Sequence, residues 1–484
     1  MESVLNGIKP GAIFKHFLKL TEIPRCSGNE KKVSDFLVKF AKDHGLEVIQ
    51  DKALNVIIKK PATKGYENAP TVILQAHMDM VCAKNENFQF DFNKDAIPLI
   101  VEEDIIRTKG TTLGADNGIG IAMIMAILES DQLPHPPLVA IFTTGEETEM
   151  EGASKLNPEH ISGDIMINLD SEEEGILTVS SAGGVNNIVS LPIVWNNAHN
   201  TKEAHRIVIK ELIGGHSGIE IDKSRASAIK LLGRLLQGID EKIDLNIASV
   251  SGGEKINAIP RMADAIIMIK KEDKKELENI IKEYEGIFHN EFKASDPNIR
   301  IYLEKINMPE KVFDPTTKSA VISILRLIPF GVQTMSANME GLVESSNNIG
   351  VLTTKEDEIT FESAVRSSVK SLKDEINGRI QIIADLNGAK MELKGDYPEW
   401  EFKEDSPIRE LMSQVYKEMY NEDIKVKAIH AGLETGVLRE KLGDIDIVSI
   451  GPNIYNAHTP DEYLSISSTV RTIGFLTEVL RRIK

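Results

Sequence analysis

TVILQAHMDM, residues 71–80, is an apolar, β-rich run that stops at a histidine and an aspartate two positions apart. A short apolar run of that character reads as a strand. Side chains at i and i+2 of a strand face the same way, so His77 and Asp79 emerge together at its C-terminal end. Open α/β sheets place their sites at that end. LVAIFTT (138–144) runs into Gly145-Glu146-Glu147 in the same manner, and DIMIN (164–168) runs into Leu169-Asp170.

Around these strands, helical periods near 11–22 and 30–44 and a further apolar run near 53–59 alternate through the first 180 residues. That is the order of an α/β sheet with helices on its faces. NGIGIAMIMAILES reads as a helix opened by Asp116, with the acid as a cap in its first turn. From about 185 to 395 the pattern changes to the strand RIVIKEL, the helix SRASAIKLLGRLLQGI, strands near 246–252 and 262–270, and the charged helix KKELENIIKEYEGIF. This follows the β-α-β-β-α-β order of a ferredoxin-like unit. IGVLTT, EITFESAV and a helix near 367–388 suggest a second, weaker layer of strands and helix. Residues 396–484 return to alternation, with a helix at 407–420, the strands IKVKAIH and IDIVSI, and a closing helix. The fold expected is an α/β domain with a mixed central sheet, 1–184 and 396–484, interrupted by an inserted α+β domain, 185–395. The seams fall at Gly183-Gly184 and Gly395-Asp396-Tyr397-Pro398.

Bulk properties agree with two soluble domains. The chain of 484 residues exceeds the roughly 250–300 at which a single hydrophobic core stops growing. Its 41% hydrophobic and 27% charged residues match a globular protein. A formal net charge of -18 repels phosphate backbones and argues against nucleic acid as a partner. No apolar run approaches the roughly 20 residues that span a bilayer, and MESVLNGIKPGAIFKHF lacks the pattern of a secretory signal. The two cysteines, Cys26 and Cys82, are too few for a disulfide framework and read as small buried hydrophobes, which suits a reducing cytoplasm. Cys82 lies close enough to His77 and Asp79 in sequence to pack beside a metal site.

The chemistry-bearing residues admit a bland and a functional reading. Adjacent carboxylates such as Glu146 and Glu147 repel each other unless a cation is near. One can ligate a metal while the other takes a proton from metal-bound water. They also fit a solvated acidic loop. His77 and Asp79 alone fit a core or surface pair, Asp116 a cap, and His458, in Asn456-Ala457-His458-Thr459-Pro460, an exposed imidazole. His135, between two prolines, reads as structural. Taken together, two histidines and several acids fall at strand ends and loops of one expected sheet.

QAHMDMV, LGADNGIG, TTGEETEMEGA, NLDSEE and NAHTPDE, in that order, resemble the motifs of the di-zinc peptidase and aminoacylase family. The long insertion with GGHSG and KINAIPRMA is similar to that of the aminoacyl-histidine dipeptidase branch, the Xaa-His or carnosinase type. The resemblance implies that His77 and Asp170 hold one zinc, that Glu147 and His458 hold the other, and that Asp116 bridges them. Three protein ligands per ion leave a position for shared water, as catalytic zinc requires. Manganese or cobalt are alternative ions for such a donor set. The resemblance further makes Glu146 the general base, Asp79 the orienting carboxylate and His216 the stabiliser of the oxyanion. Asn257, Arg366 and Gly432 match positions used around the substrate, with Arg366 suited to a C-terminal carboxylate through two parallel hydrogen bonds.

The expected function is therefore hydrolysis of dipeptides such as β-Ala-His, and of other short peptides, by a zinc-bridging water with a glutamate base. The inserted domain would act as a lid and join two copies into a homodimer. An N-acyl amino acid amidohydrolase uses the same machinery and is the first alternative. A peptide-binding protein without catalysis is the second, although every catalytic position is filled.

Overall fold

The computed structural model describes residues 10–198 and 201–484 of the chain, so the first nine residues, the start of the segment that lacks a secretory pattern, lie outside the described residues. After two N-terminal helices, Pro10–Thr21 and Lys31–Asp43, the chain lays down strands β1 (Glu47–Gln50), β2 (Val56–Lys60), β3 (Val72–His77), β4 (Leu138–Thr143), β5 (Ile165–Asn168) and β6 (Ile176–Ser181). Every residue of β3 and β4 is buried. Burial on both faces is what a continuous apolar run, rather than an alternating one, requires.

From Ala182 the chain builds a second unit, with strands β7 (Gly183–Pro192), β8 (Lys202–Lys210), β9 (Asn246–Gly252), β10 (Ala263–Lys270), β11 (Arg300–Lys305), β12 (Val343–Thr354), β13 (Glu358–Ser367) and β14 (Lys390–Tyr397). Their order in the sheet is β11-β8-β10-β9-β12-β13-β7-β14, and Gly331–Met335 also pairs with β12. Two ferredoxin-like units are nested in this order. The inner one is β8, the helix Ala228–Asp240, β9, β10, the helix Lys274–Phe292 and β11. The outer one is β7, the helix Pro315–Leu327, β12, β13, the helix Lys370–Leu386 and β14. β9 pairs with β12 at one register position, Gly252 with Leu352, and Thr354 Oγ1 bonds to the Val250 backbone, which fuses the two units into one sheet.

The chain then returns with β15 (Lys425–Ile429) and β16 (Asp446–Ser449) and completes the first sheet in the order β1-β2-β4-β3-β5-β16-β6-β15. The first unit comprises the residues up to Ser181 with Trp400–Ala428 and Leu433–Lys484. Ile429–Gly432 joins the second unit, where the Ala182 N–H donates to the carbonyls of Ile429 and Ala431. In the first sheet β3 runs parallel to β4 on one side and to β5 on the other. Their C-terminal ends therefore open on the same edge. The helix Ala115–Glu129 is buried on nearly every face between β3 and the first helix, as its uniform hydrophobicity demands. Among the described residues no helix is long and apolar enough to cross a membrane.

The cysteines depart from expectation. Cys26 and Cys82 are half-buried and form a disulfide, with Cα atoms 5.6 Å apart at a sequence separation of 56. Sequence distance hid the pairing. The bridge forms because the Met80 N–H donates to the Arg25 carbonyl at 3.1 Å, which lays Cys26 beside the end of β3. In the chain-entropy picture a loop of this length gives roughly 4 kcal/mol, and measured disulfides typically give 2–4 kcal/mol. Chemical denaturation with and without a reductant should show the reduced form less stable by about 2–4 kcal/mol. Coincident curves would show that the bridge does not brace the fold.

Candidate metal centre and active site

Three parallel strand ends bring the first donors together. β3 delivers His77 and Asp79, the turn after β4 delivers Glu146 and Glu147, and the segment after β5 delivers Asp170. Asp116 comes from the start of the buried helix and His458 from the loop before the last one. Asp116 does not act as the cap expected of it. It and Asn117 leave helical geometry, and its two oxygens turn to different histidines. His77 Nε2 lies 3.0 Å from Asp116 Oδ1 and 3.2 Å from Asp170 Oδ1. His458 Nε2 lies 3.0 Å from Asp116 Oδ2 and 3.0 Å from Glu147 Oε2. His458 sits at a φ of 66°, a left-handed conformation that costs a non-glycine residue about 1–3 kcal/mol and persists where the surroundings hold it.

These atoms form three groups able to hold a cation: His77, Asp116 and Asp170; Asp116, Glu147 and His458; and His77, Glu146 and Glu147. Within the second group, Glu147 Oε1 is buried without a hydrogen-bond partner among the described residues. Asp79 turns the other way. Its carboxylate faces His77 Nδ1 at 3.4 Å and accepts from Ser27 Oγ (2.8 Å) and from the N–H groups of Glu146 (3.0 Å) and Glu147 (3.2 Å). It thus faces an imidazole and anchors the acidic turn at once.

The electrostatics follow from crowding. Burial alone would raise the Asp79 carboxyl, but His77, Ser27 and the Glu146 amide hold it down to about 2. Asp116 is likewise held low, its burial outweighed by hydrogen bonds from His458 and His77. Hydrogen bonds to Asp116 and Glu147 push His458 up to about 11. His77 is raised well above the ordinary imidazole value because Asp170, Asp116 and Asp79 outweigh the cost of burying it. Among the described residues Glu146 makes no such ion pair. Burial first, and then repulsion from Asp170, Glu434 and Glu147, lift its carboxyl well above the usual range against the pull of His77.

The other site residues expected from the sequence belong to the second unit. His216 is half-buried, and its Nδ1 accepts from the N–H groups of Gly218 (3.2 Å) and Ile219 (3.1 Å). Burial, then the neighbouring Arg366 charge, lowers its pKa, so the ring is neutral and carries its proton on Nε2. Arg366 Nη1 donates to Tyr397 Oη at 2.8 Å. Asn257 is exposed, and its carbonyl accepts from the Ser217 N–H at 2.9 Å. Gly432 is half-buried and follows His430, whose Nε2 is 2.7 Å from Ser346 Oγ and which burial and Arg366 push down to about 3. His135 is structural as expected, fully buried with Nδ1 2.7 Å from the Pro136 carbonyl.

Sequence reading missed several residues packed around the centre. Glu434 is buried, accepts from Gln75 Nε2 (2.8 Å) and Thr143 Oγ1 (2.6 Å), and is pushed up to about 8, mainly by burial. Arg25 and Glu462 grip the backbone around Asp116. Glu434 and Glu462 stand inside HAGLE and NAHTPDE, the segments that carry Gly432 and His458, so those segments were the available signal. Arg25 offered none.

The chain matches the family described as peptidase family M20/M25/M40 over residues 73–482. It is also 36% identical over 481 residues to the cytosol non-specific dipeptidase of Escherichia coli K12, covering 99% of both chains. The chain belongs to peptidase family M20/M25/M40. It is a hydrolase of the metallopeptidase class. Among solved structures, the aminoacylhistidine dipeptidase of Vibrio alginolyticus superposes with a TM-score of 0.94 at 35% identity, over 99% of this chain and 98% of that one. The aminopeptidase PepT of Bacillus cereus, at 16% identity and a TM-score of 0.59 over 98% of this chain and 99% of that one, shares the fold.

Asp116 belongs to two of the three donor groups and Asp170 to one. Asp116→Ala should therefore weaken binding of both ions when zinc or manganese is titrated into metal-free protein, and Asp170→Ala should weaken one. Two ions bound at wild-type affinity by Asp116→Ala would exclude a shared ligand.

Proposed function

We propose that this M20/M25/M40 peptidase hydrolyses dipeptides, with two divalent ions, zinc first, held by His77 and Asp170 on one side, by Glu147 and His458 on the other, and by Asp116 between them. The single observation that carries this reading is that each oxygen of Asp116 lies 3.0 Å from the Nε2 of a different histidine, and each of those nitrogens also faces a further carboxylate. Imidazole and carboxylate donors suit zinc, manganese or cobalt. Such ions polarise a carbonyl and make water acidic enough to give up a proton near neutral pH.

The side chains supply the rest. Glu146 stands beside the donors without an ion pair of its own, and its raised pKa suits a carboxyl that accepts a proton and returns it to the departing amine. Asp79 keeps the His77 ring and the Glu146 turn in register. In the second unit, His216 Nδ1 accepts two backbone amides, which leaves its Nε2–H as the kind of donor an oxyanion requires. Arg366 offers a guanidinium without a carboxylate partner among the described residues, suited to a peptide C-terminus, with Asn257 and Gly432 as further substrate contacts. Full-length identity to a dipeptidase supports short peptides as substrates. Xaa-His peptides such as β-Ala-His belong in the test panel because of the aminoacylhistidine dipeptidase likeness.

We also infer a homodimer through the second unit. β14 is an edge strand with Leu393 49% exposed, and the adjoining helix turns Ile382 (60%) and Leu386 (79%) to solvent. Apolar edges of this kind pair with another copy; a light-scattering mass of one chain would exclude it. A cytoplasmic location follows the cytosolic relative. The Cys26–Cys82 bridge stands against a reducing compartment, and trapping the thiols in intact cells decides between the two.

Glu146→Gln should abolish turnover of a dipeptide panel, by about 10²–10⁴-fold, while metal content stays at the wild-type level. An active variant would remove Glu146 from proton transfer. Arg366→Met should weaken free dipeptides by roughly 1.5–3 kcal/mol more than their C-terminal amides, read as kcat/KM. Equal losses on acid and amide would show that Arg366 does not bind the carboxylate.

A further inference from the structure

Asp116 can serve two donor groups only if its backbone is held rigidly, because a displacement of an ångström would take one oxygen out of reach of its histidine. The four residues Leu113 to Asp116 present successive N–H groups around a left-handed Gly114 at φ 69°, a concave backbone of the kind that binds anions. The protein fills that concavity itself. Glu462 Oε2 accepts from Leu113 (2.7 Å) and Gly114 (2.9 Å), and its Oε1 accepts from Ala115 (2.8 Å) and Asp116 (3.4 Å).

The carbonyl side of the same loop is held by Arg25. This side chain is 1% exposed and makes no hydrogen bond to a carboxylate among the described residues. It donates instead to the carbonyls of Met78 (3.1 Å), Asp79 (2.9 Å) and Gly114. One guanidinium therefore ties the end of β3, with His77 and Asp79, to the loop that carries Asp116. Its presence also explains two glycines of LGADNGIG. A Cβ at Gly114 or at Gly118 would stand 2.5 Å from Arg25 Nη2. The Cys26–Cys82 bridge and the Met80 to Arg25 backbone bond secure the segment from which Arg25 projects.

We propose that Arg25 and Glu462 are positioning residues that set the Asp116 carboxylate between His77 and His458, Glu462 through the amides of residues 113–116 and Arg25 through the carbonyls of Met78, Asp79 and Gly114. Among the described residues both hydrogen-bond to backbone atoms and neither hydrogen-bonds to a metal-donor atom. The inference rests on the shared role of Asp116 proposed above.

Glu462→Gln and Arg25→Lys test it, with Gly118→Ala as a third variant that displaces the guanidinium while both positioning residues keep their chemical identity. Zinc affinity is measured by competition with a chromophoric chelator, alongside the thermal midpoint and the separate kcat and KM of metal-saturated enzyme. Phe313→Leu, a buried substitution in the second unit, supplies a destabilised control. The expected result is zinc affinity weakened about 10–100-fold, as for other groups that orient metal ligands. A lower kcat with KM changed less than about threefold should accompany it, while the control loses thermal stability without either change. Zinc affinity and kcat within about threefold of wild type in any variant that folds would overturn the proposal, as would an equal loss in the control. If Glu462→Gln or Arg25→Lys fails to fold, Gly118→Ala decides by the same criteria. Undiminished binding of two ions by Asp116→Ala would refute the shared-ligand reading instead, so the two failures are distinguishable.

Discussion

Crowded negative charge is the constraint on which the first unit depends. Asp79, Asp116, Glu146, Glu147 and Asp170 converge on two imidazoles at one edge of the sheet. Two like charges 4 Å apart repel by about 4 kcal/mol at an effective dielectric constant of 20. The parallel pairing of β3 with β4 and β5 leaves these side chains nowhere else to go, since the strands end together. The surrounding structure meets the repulsion piece by piece. Two backbone amides and Ser27 relieve Asp79, both histidines are drawn toward the charged form, and Glu146 is pushed toward the neutral one. Donor groups able to hold a divalent cation and a carboxyl pushed toward its neutral form are two results of the same crowding.

The second unit sets one permanent positive charge among neutral groups. His216, Arg366 and His430 come from separate segments of the nested ferredoxin-like sheet and the returning chain, with Tyr397 and Ser346 as their neutral partners. Burial beside Arg366 keeps both imidazoles neutral, leaving the guanidinium as the permanent charge. Such a group recognises a carboxylate by geometry as well as charge. The nesting has a topological cause: the inner unit is inserted between β7 and the first helix of the outer one. Residues far apart in sequence, such as Gly184 and Arg366, thereby become paired on adjacent strands.

Much of this was legible in the sequence because it depends on short-range pattern. Apolar runs too uniform for a solvated strand marked β3, β4 and β5, and the acids and histidine that follow them marked the edge where chemistry sits. The ferredoxin-like order was readable from strand and helix periods, and the five motifs were local strings. Glu462 lay inside NAHTPDE and Glu434 inside HAGLE, but neither could be told from an ordinary acid, because their roles are hydrogen bonds to the amides of residues 113–116 and to Gln75 and Thr143.

The sequence by itself determined which strands would be buried, where each would end, and which residue types stand at those ends, since all three follow from the side chains of a few neighbouring positions. Only the tertiary structure decided that Asp116 faces two histidines instead of capping its helix, that Cys26 meets Cys82 across 56 positions, and that a buried arginine near the N-terminus holds the backbone beside Asp79 and Asp116. Those facts depend on hydrogen-bond partners and charges brought together by chain crossings. No local period records the three-dimensional distance between segments that only folding makes neighbours.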